Sequence, residues 1–234
     1  MSKRELKYLV GVDEVGRGPL AGPVCVGLVA IERKSARKIL SKFSALRDSK
    51  KMNEKNREEI YESVLKNQSS GEIIFEIQKC SAMEIDKIGI SKCIKKCIES
   101  GLKNLEKKGI HGGNTEVRLD GALRAPSTYP NQKTIIRGDD SEKIISLASV
   151  LAKVYRDNLM INLHKKFSQY NFAQNKGYGT KAHIKAIKSK SNHTYILLKS
   201  DAKFMKAICY LMRNGLNGMF FTDEPMIDLK QMVR

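Results

Sequence analysis

Residues 9–24 decide the fold, and they read Leu-Val-Gly-Val-Asp-Glu-Val-Gly-Arg-Gly-Pro-Leu-Ala-Gly-Pro-Val. The stretch starts inside an apolar, β-prone run and reaches two adjacent carboxylates, Asp13 and Glu14. Neighbouring side chains of a strand point to opposite faces, and a buried carboxylate without a partner is costly. A divalent cation would be such a partner, whereas a hairpin that happens to have an acidic end is the simpler alternative.

The charge of the chain indicates an anionic partner. It carries 43 Lys and Arg against 25 Asp and Glu, a formal net charge of +18, over 234 residues. Nucleic acid is the first partner that such a balance suggests, and a lysine-rich surface without a partner is the alternative. The length predicts one domain with or without an appendage. We assign residues 1–213 to a catalytic domain with a C-terminal helical part, and residues 214–234 to a tail of unknown role.

The cysteines and the apolar segments bear on the compartment. The five cysteines lie at positions 25, 80, 93, 97 and 209 without a metal-ligand pattern, and their odd number disfavours a complete disulfide framework. A reducing cytoplasm is therefore expected. Acidic and basic residues interrupt the apolar run near the N-terminus, so no signal peptide is expected, and no segment is long enough to cross a bilayer.

Strand-like and helix-like patterns alternate along the chain, which predicts an α/β fold. The predicted strands are residues 8–12, 23–31, 72–78, 116–119 and 133–136. The predicted helices are residues 35–43, 54–66, 82–107, 141–167, 181–188 and 199–214, the second capped by Asn53.

Three of the predicted strands are followed by carboxylates: Asp13 with Glu14, Asp120, and Asp139. Sheets of α/β proteins place ligands at strand ends, so these carboxylates could form one site. Four carboxylates repel one another unless cations neutralise them, and oxygen ligands suit Mg²⁺ or Mn²⁺. Two such ions can activate a water and stabilise a leaving oxygen in phosphodiester cleavage. Three unrelated acidic loops are the alternative.

Several sequence blocks, taken in order, carry a resemblance to a known family. They are residues 11–19, 21–23, 48–51, 84–86, 120–121, 138–139, 146–157 and 176–180, with His183. The chain resembles ribonuclease HII, the type 2 ribonuclease H. The resemblance implies a ribonuclease H-like fold, a mixed five-stranded sheet flanked by helices, with C-terminal helices. It also implies cleavage of RNA strands in RNA/DNA hybrids and on the 5′ side of single ribonucleotides in duplex DNA, leaving 3′-hydroxyl and 5′-phosphate ends.

The resemblance also assigns the carboxylates. Asp13, Glu14, Asp120 and Asp139 match the residues with which the family binds metal and performs catalysis. Asp140 is an alternative to Asp139, but Asp139 directly follows Gly138 and keeps the register to the block at residues 146–157.

The resemblance further implies how substrate is recognised. Gly16, Arg17 and Gly18 match the loop that reads the ribose 2′-hydroxyl, a group that distinguishes RNA from DNA. Tyr178 matches an aromatic residue that stacks on the next sugar, although a tyrosine in a glycine loop is otherwise usually a packing residue.

Two lysines and a histidine complete the predicted site. Lys50 and Lys153 are expected to contact phosphates, with solvated lysines as the alternative. His183 is expected to be a structural hydrogen-bonding group rather than a base.

The chain also departs from the family. After His183 the usual ending of the family is not evident, which puts the C-terminal substrate contacts in doubt. Phe220 and Phe221 resemble an aromatic pair that binds a sliding clamp, but Asn214 and Asn217 occupy positions where a glutamine and an aliphatic residue are wanted. We expect no membrane partner, and we expect the protein to be a monomer.

Rival readings make different predictions. Ribonuclease HIII usually carries an additional N-terminal domain and different residues after the first acidic pair. A catalytically silent binder of hybrids would not need all four acids. A generic basic DNA-binding protein would explain the charge but not the ordered acids.

Overall fold

The computed structural model describes residues 6–46, 52–66 and 68–190. These residues fall into two compact units. The larger unit contains the described residues of 6–15, 24–80 and 91–156, and the smaller unit contains residues 16–23, 81–90 and 157–190. The predicted helix at residues 199–214 and the predicted tail lie outside the described residues.

The larger unit is built on a mixed sheet of five strands. With both units taken together in chain order, the strands and helices are β1 (Tyr8–Val15), β2 (Val24–Glu32), α1 (Arg33–Ser41), α2 (Glu54–Lys66), β3 (Ile74–Cys80), α3 (Ala82–Ile88), α4 (Ile90–Glu106), β4 (Thr115–Asp120), β5 (Gln132–Ile135), α5 (Gly138–Ser141), α6 (Lys143–Lys166), α7 (Phe172–Asn175) and α8 (Lys181–Lys190). The strand order in the sheet is β3-β2-β1-β4-β5. The predicted mixed five-stranded sheet with flanking helices is confirmed.

The strand directions bring three carboxyl ends to one edge of the sheet. β2 runs antiparallel to both β1 and β3, whereas β1 and β4 are parallel, as are β4 and β5. Val12 lies opposite Leu119, and Asp120 lies opposite Ile135. Whatever follows β1, β4 and β5 therefore starts from the same edge.

Helix α6 packs closely against the sheet because two strand residues have no side chain. A Cβ atom on Gly11 of β1 would overlap the carbonyl of Ile144, and one on Gly27 of β2 would overlap the carbonyl of Ala148. Apolar residues of α6 between 144 and 151 join residues of β1, β2, α1 and α2 in one buried cluster. The two glycines thus determine how near the sheet α6 lies.

Two predicted helices are interrupted in the structure. The helix expected over residues 82–107 is two helices, because Gly89 takes φ 81°, which no helical residue adopts. The helix expected from Ser141 begins at Lys143, because Glu142 is extended (φ −119°) and residues 138–141 form the separate short helix α5. Both breaks depend on single backbone angles that hydrophobic periodicity does not report.

The four cysteines among the described residues are buried free thiols. Cys93 and Cys97 are four residues apart in α4, and both are buried. None of the helices in the described part of the chain has the length and apolar character needed to cross a membrane.

Candidate metal centre and substrate loops

Three of the four predicted acids form a cluster at the edge where β1 and β4 end. Oxygen atoms of Asp13, Glu14 and Asp120 lie within 4.8 Å of one another. Asp13 is only 5% exposed, and the other two are half-buried. The parallel register explains the meeting, because Asp13 and Asp120 each follow a residue of the opposed pair Val12 and Leu119.

The environment of Asp13 disfavours an unneutralised negative charge. The pKa of Asp13 is raised to about 8, chiefly by burial and also by the charges of Asp120 and Glu14. The Ser149 hydroxyl and the Glu14 N–H, 2.7 Å from Asp13 Oδ1, oppose that rise as hydrogen-bond donors. A divalent cation would offset the cost of burying the Asp13 charge and would reduce the repulsion between the carboxylates. A set of carboxylate oxygens suits Mg²⁺ or Mn²⁺.

The fourth predicted acid contacts the cluster through its backbone. The Asp139 N–H donates to Asp120 Oδ1 at 3.3 Å, and the Ser146 hydroxyl donates to the Asp139 carbonyl. Within the described residues, the group of mutually close acidic oxygens does not include the Asp139 carboxylate. Asp139 is half-buried whereas Asp140 is exposed, so the position of Asp139 against Asp120 favours it as the candidate ligand.

One face of α6 borders the acid cluster. Ser146, Ser149 and Lys153 are three and four residues apart, which places them on the same face of the helix. Ser146 donates a hydrogen bond to the Asp139 carbonyl, and Ser149 donates one to the Asp13 carboxylate. The half-buried Lys153 therefore lies on the helix face that meets the acids. Sequence reasoning missed both serines, although their helical spacing to Lys153 was visible.

A chain of ion pairs links β4 to the segment that carries Asp139. The buried Glu116 carboxylate accepts from Arg33 and from Arg118, whose Nε lies 2.9 Å from Oε1. Arg118 Nη1 reaches Glu142 Oε2 at 2.7 Å. The Glu142 N–H in turn donates to the Gly138 carbonyl and ends α5. No sequence pattern pointed to this network.

In the smaller unit, two predicted substrate-binding segments lie side by side. A Cβ atom placed on Gly18 would lie 3.8 Å from Cε1 of Tyr178. Arg17 and Gly18 are exposed, Gly16 is buried with φ 96°, and the Tyr178 ring is 41% exposed. The structure therefore brings the predicted 2′-hydroxyl loop and the predicted stacking residue together, with an exposed surface.

Main-chain hydrogen bonds hold these two segments. The N–H groups of Leu20 and Ala21 donate to the Gly177 carbonyl at 2.8 and 3.2 Å. Gly177 takes φ 84°, and a Cβ atom there would overlap the Ala21 carbonyl, so this position requires glycine.

His183 supports the loop that carries Tyr178. Its ring Nδ1 lies 2.8 Å from the Tyr178 carbonyl, and because a carbonyl only accepts, Nδ1 carries the proton. Burial lowers the pKa of His183, although this hydrogen bond opposes the shift. A buried neutral imidazole is consistent with the structural role predicted for this residue. The predicted phosphate contact Lys50 lies outside the described residues.

Comparisons with known proteins agree with this fold and show the family. The family model for ribonuclease HII matches residues 10–204. Ribonuclease HII of Helicobacter pylori is 41% identical over 180 residues, which are 76% of this chain and 83% of that protein. The structure of the PCNA:RNase HII complex from Archaeoglobus fulgidus aligns with TM-score 0.59 at 22% identity, covering 89% of this chain and 90% of that one. Bst-RNase HIII in complex with Mn²⁺ aligns with TM-score 0.68 at 14% identity, covering 89% and 71%.

The family-model match and the similarity to curated relatives define the class: a metal-dependent nuclease of the ribonuclease H class. The family-model match and the identity to the Helicobacter protein then show the family: the chain belongs to the ribonuclease HII family. It is a hydrolase and an endoribonuclease that acts on RNA paired with DNA.

Proposed function

We propose that this protein cleaves on the 5′ side of single ribonucleotides embedded in duplex DNA, as well as within the RNA strand of RNA/DNA hybrids. The products would carry 3′-hydroxyl and 5′-phosphate ends. The observation that carries the proposal is the convergence of carboxylates from β1 and β4 at one sheet edge, in a chain of this family.

In this mechanism, Asp13, Glu14, Asp120 and Asp139 would hold two metal ions, either Mg²⁺ or Mn²⁺. The chemistry supplied by bound ions would be activation of the attacking water and stabilisation of the leaving 3′-oxygen. Ser149 fixes the Asp13 carboxylate by a hydrogen bond. The backbone N–H of Asp139 similarly fixes the Asp120 carboxylate, so the chain itself orients two of its acids.

Selectivity for the ribonucleotide is assigned to the smaller unit. Gly16, Arg17 and Gly18 would hydrogen-bond the 2′-hydroxyl, since a glycine backbone allows another molecule to approach closely. Tyr178 would pack against the following sugar, where a second hydroxyl would crowd the ring. The exposure of this ring next to Gly18 supports the assignment. Lys50 and Lys153 would contact phosphates of the same strand.

Cleavage of a labelled DNA duplex with one embedded ribonucleotide tests the proposal. We expect a metal-dependent cut on its 5′ side, with a 5′-phosphate that DNA ligase accepts on the downstream product. A continuous RNA/DNA hybrid should also be cut, and an all-DNA duplex of the same sequence should not. If the protein cuts the hybrid but leaves the single ribonucleotide intact, the narrower proposal is wrong.

A sliding clamp is a candidate protein partner. The solved structure of the Archaeoglobus protein is a complex with PCNA. The contact proposed in this chain is the pair Phe220 and Phe221, which lies outside the described residues. Loss of co-elution with a clamp after Phe220→Ala and Phe221→Ala would support it, and no co-elution of the wild type would contradict it.

Light scattering would test the predicted monomer, and cell fractionation would test the predicted cytoplasmic location.

A further inference from the structure

The connection between β5 and α5 lies beside the acid cluster. We call residues 136–137 the β5–α5 turn. The next residue, Gly138, lies beside the cluster, since a Cβ atom there would be 3.4 Å from Asp120 Oδ1. Asp139 then donates its N–H to the same oxygen. The turn is therefore within two residues of a direct contact with a predicted metal ligand.

The first residue of the turn presents an apolar side chain to solvent. Ile136 is 86% exposed, the highest value among the large apolar side chains in the described ranges. Covering an exposed isoleucine side chain with another molecule removes apolar surface from water, which favours binding. Its neighbours in sequence are the half-buried Ile135 and the exposed Arg137, so nothing in the turn covers the side chain.

The second residue of the turn holds a backbone conformation that favours glycine. Arg137 takes φ 53° and ψ 43°, a left-handed conformation that is unfavourable for a residue with a Cβ atom. The N–H groups of Asp140 and Ser141 hold it by donating to its carbonyl at 3.1 and 3.2 Å. The exposed guanidinium makes no hydrogen bond or ion pair with the described residues. Strained residues cluster at functional sites. Because the Arg137 side chain makes no polar contact within the described fold, we infer that it contacts another molecule.

We propose that Ile136 and Arg137 bind the nucleic-acid substrate next to the cleavage site, with Arg137 on a backbone phosphate and Ile136 against the adjoining sugar or base edge. This inference rests on the proposed function. A guanidinium matches phosphate oxygens in geometry and charge, and apolar side chains insert in the minor groove in many complexes. The chain's net charge of +18 favours a polyanion over a protein as the occupant.

The decisive variant is Arg137→Gly, because the inference predicts opposite effects on folding and on binding. Glycine relieves the left-handed backbone, so the melting temperature should stay equal or rise. Affinity for the single-ribonucleotide duplex should fall about tenfold, the usual effect of one lost charge-assisted hydrogen bond. The slope of log K against log salt should become less steep by about one. A variant that is merely misfolded would lose stability as well.

Binding is measured in an Asp13→Asn background so that the duplex is not cut. Arg137→Lys retains the charge and should keep the wild-type salt slope. Arg37→Gln is the matched control, because Arg37 is also exposed but lies on α1, which begins beside the start of β1 at the opposite edge of the sheet. It should change neither affinity nor slope.

Ile136→Ser separates the apolar contact from the charge. It should weaken binding about threefold and leave the salt slope unchanged, since no phosphate contact is lost. Wild-type affinity in both Ile136→Ser and Arg137→Gly would overturn the inference and leave a protein partner as the occupant of the turn. Equal losses in Arg137→Gly and Arg37→Gln would overturn it too. Because cleavage by the wild type is scored separately, failure of this inference is distinct from failure of the proposed function.

Discussion

The acid cluster of the larger unit and the Tyr178 loop of the smaller unit are built in opposite ways. In the cluster Asp13 is buried and the other two acids are half-buried, and strand register places the carboxylates together although their charges repel. The loop is held by main-chain hydrogen bonds to Gly177, and its functional candidates are exposed. Chemistry that needs a precise arrangement of charges is built at a sheet edge, where folding has to overcome the repulsion. Recognition is left to side chains that contribute little to folding.

Asp13→Asn is the strongest test of this difference, because it should abolish cleavage and stabilise the metal-free fold. The amide is nearly isosteric with the carboxyl group and removes a charge from the proposed metal site. It also removes the cost of burying that charge and its repulsion by the neighbouring acids. Cleavage should fall below detection while duplex binding survives. In EDTA the melting temperature should rise, by about 2–4 °C for each kcal/mol gained in a domain of this size.

The same chemistry predicts the behaviour of the neighbouring acids. Asp120→Asn and Asp139→Asn should also be inactive, and Asp140→Asn should remain active. Full activity of Asp13→Asn in saturating Mg²⁺ would contradict the assignment of the cluster. An inactive Asp140→Asn beside an active Asp139→Asn would show that the fourth ligand was chosen wrongly.

Tyr178→Ala should have the opposite profile, with an effect on selectivity rather than on stability. Loss of a stacking contact typically costs about 1–3 kcal/mol, which corresponds to roughly a 5- to 150-fold loss of cleavage. The loss should be greater on a single-ribonucleotide duplex than on a continuous hybrid, with a nearly unchanged melting temperature. Tyr178→Phe retains the ring and serves as the control. Equal losses on both substrates would make Tyr178 a packing residue.

Arg118→Met tests whether the ion pairs behind the cluster support it. Arg118 is 26% exposed and joins Glu116 to Glu142, so its loss should destabilise the fold by about 1–3 kcal/mol. The activity should then require more Mg²⁺, because the segment that carries Asp139 loses a link to β4. Lys133→Met is the matched control, since Lys133 also faces Glu116, at 3.9 Å, but is 69% exposed. Identical melting temperatures and metal dependence in both variants would contradict the link.

The smallest effect concerns pH. The pKa of Asp13 is near 8 in the fold against an ordinary value of 3.8, so the folded state holds this proton more tightly than the unfolded chain. This group therefore stabilises the metal-free protein at low pH, and that contribution is lost as pH rises from about 4 through 8. In EDTA, the wild type should lose a few degrees of melting temperature relative to Asp13→Asn between pH 5 and 8. A constant difference would show that Asp13 is not strongly perturbed.

Much of the sheet could be predicted because its determinants are local. Short β-prone runs marked all five strands, and the carboxylates that follow three of these predicted runs identified the functional edge. The helix bounds were predicted less accurately, because the break at Gly89 and the extended Glu142 depend on single backbone angles. Prediction of Asp139 over Asp140 needed the register to a family block, and the structure adds a physical reason in the hydrogen bond to Asp120.

The sequence by itself determined the strand-end acids, the glycine loop and the anionic partner, because residue type and spacing along the chain express them directly. Only the tertiary structure decided which groups surround those acids. Ser149 reaches Asp13 because Gly11 and Gly27 let α6 lie close to the sheet, and Arg118 reaches Glu142 across a separation of 24 residues. Such contacts depend on how helices and strands pack against each other, and a linear pattern does not record that distance.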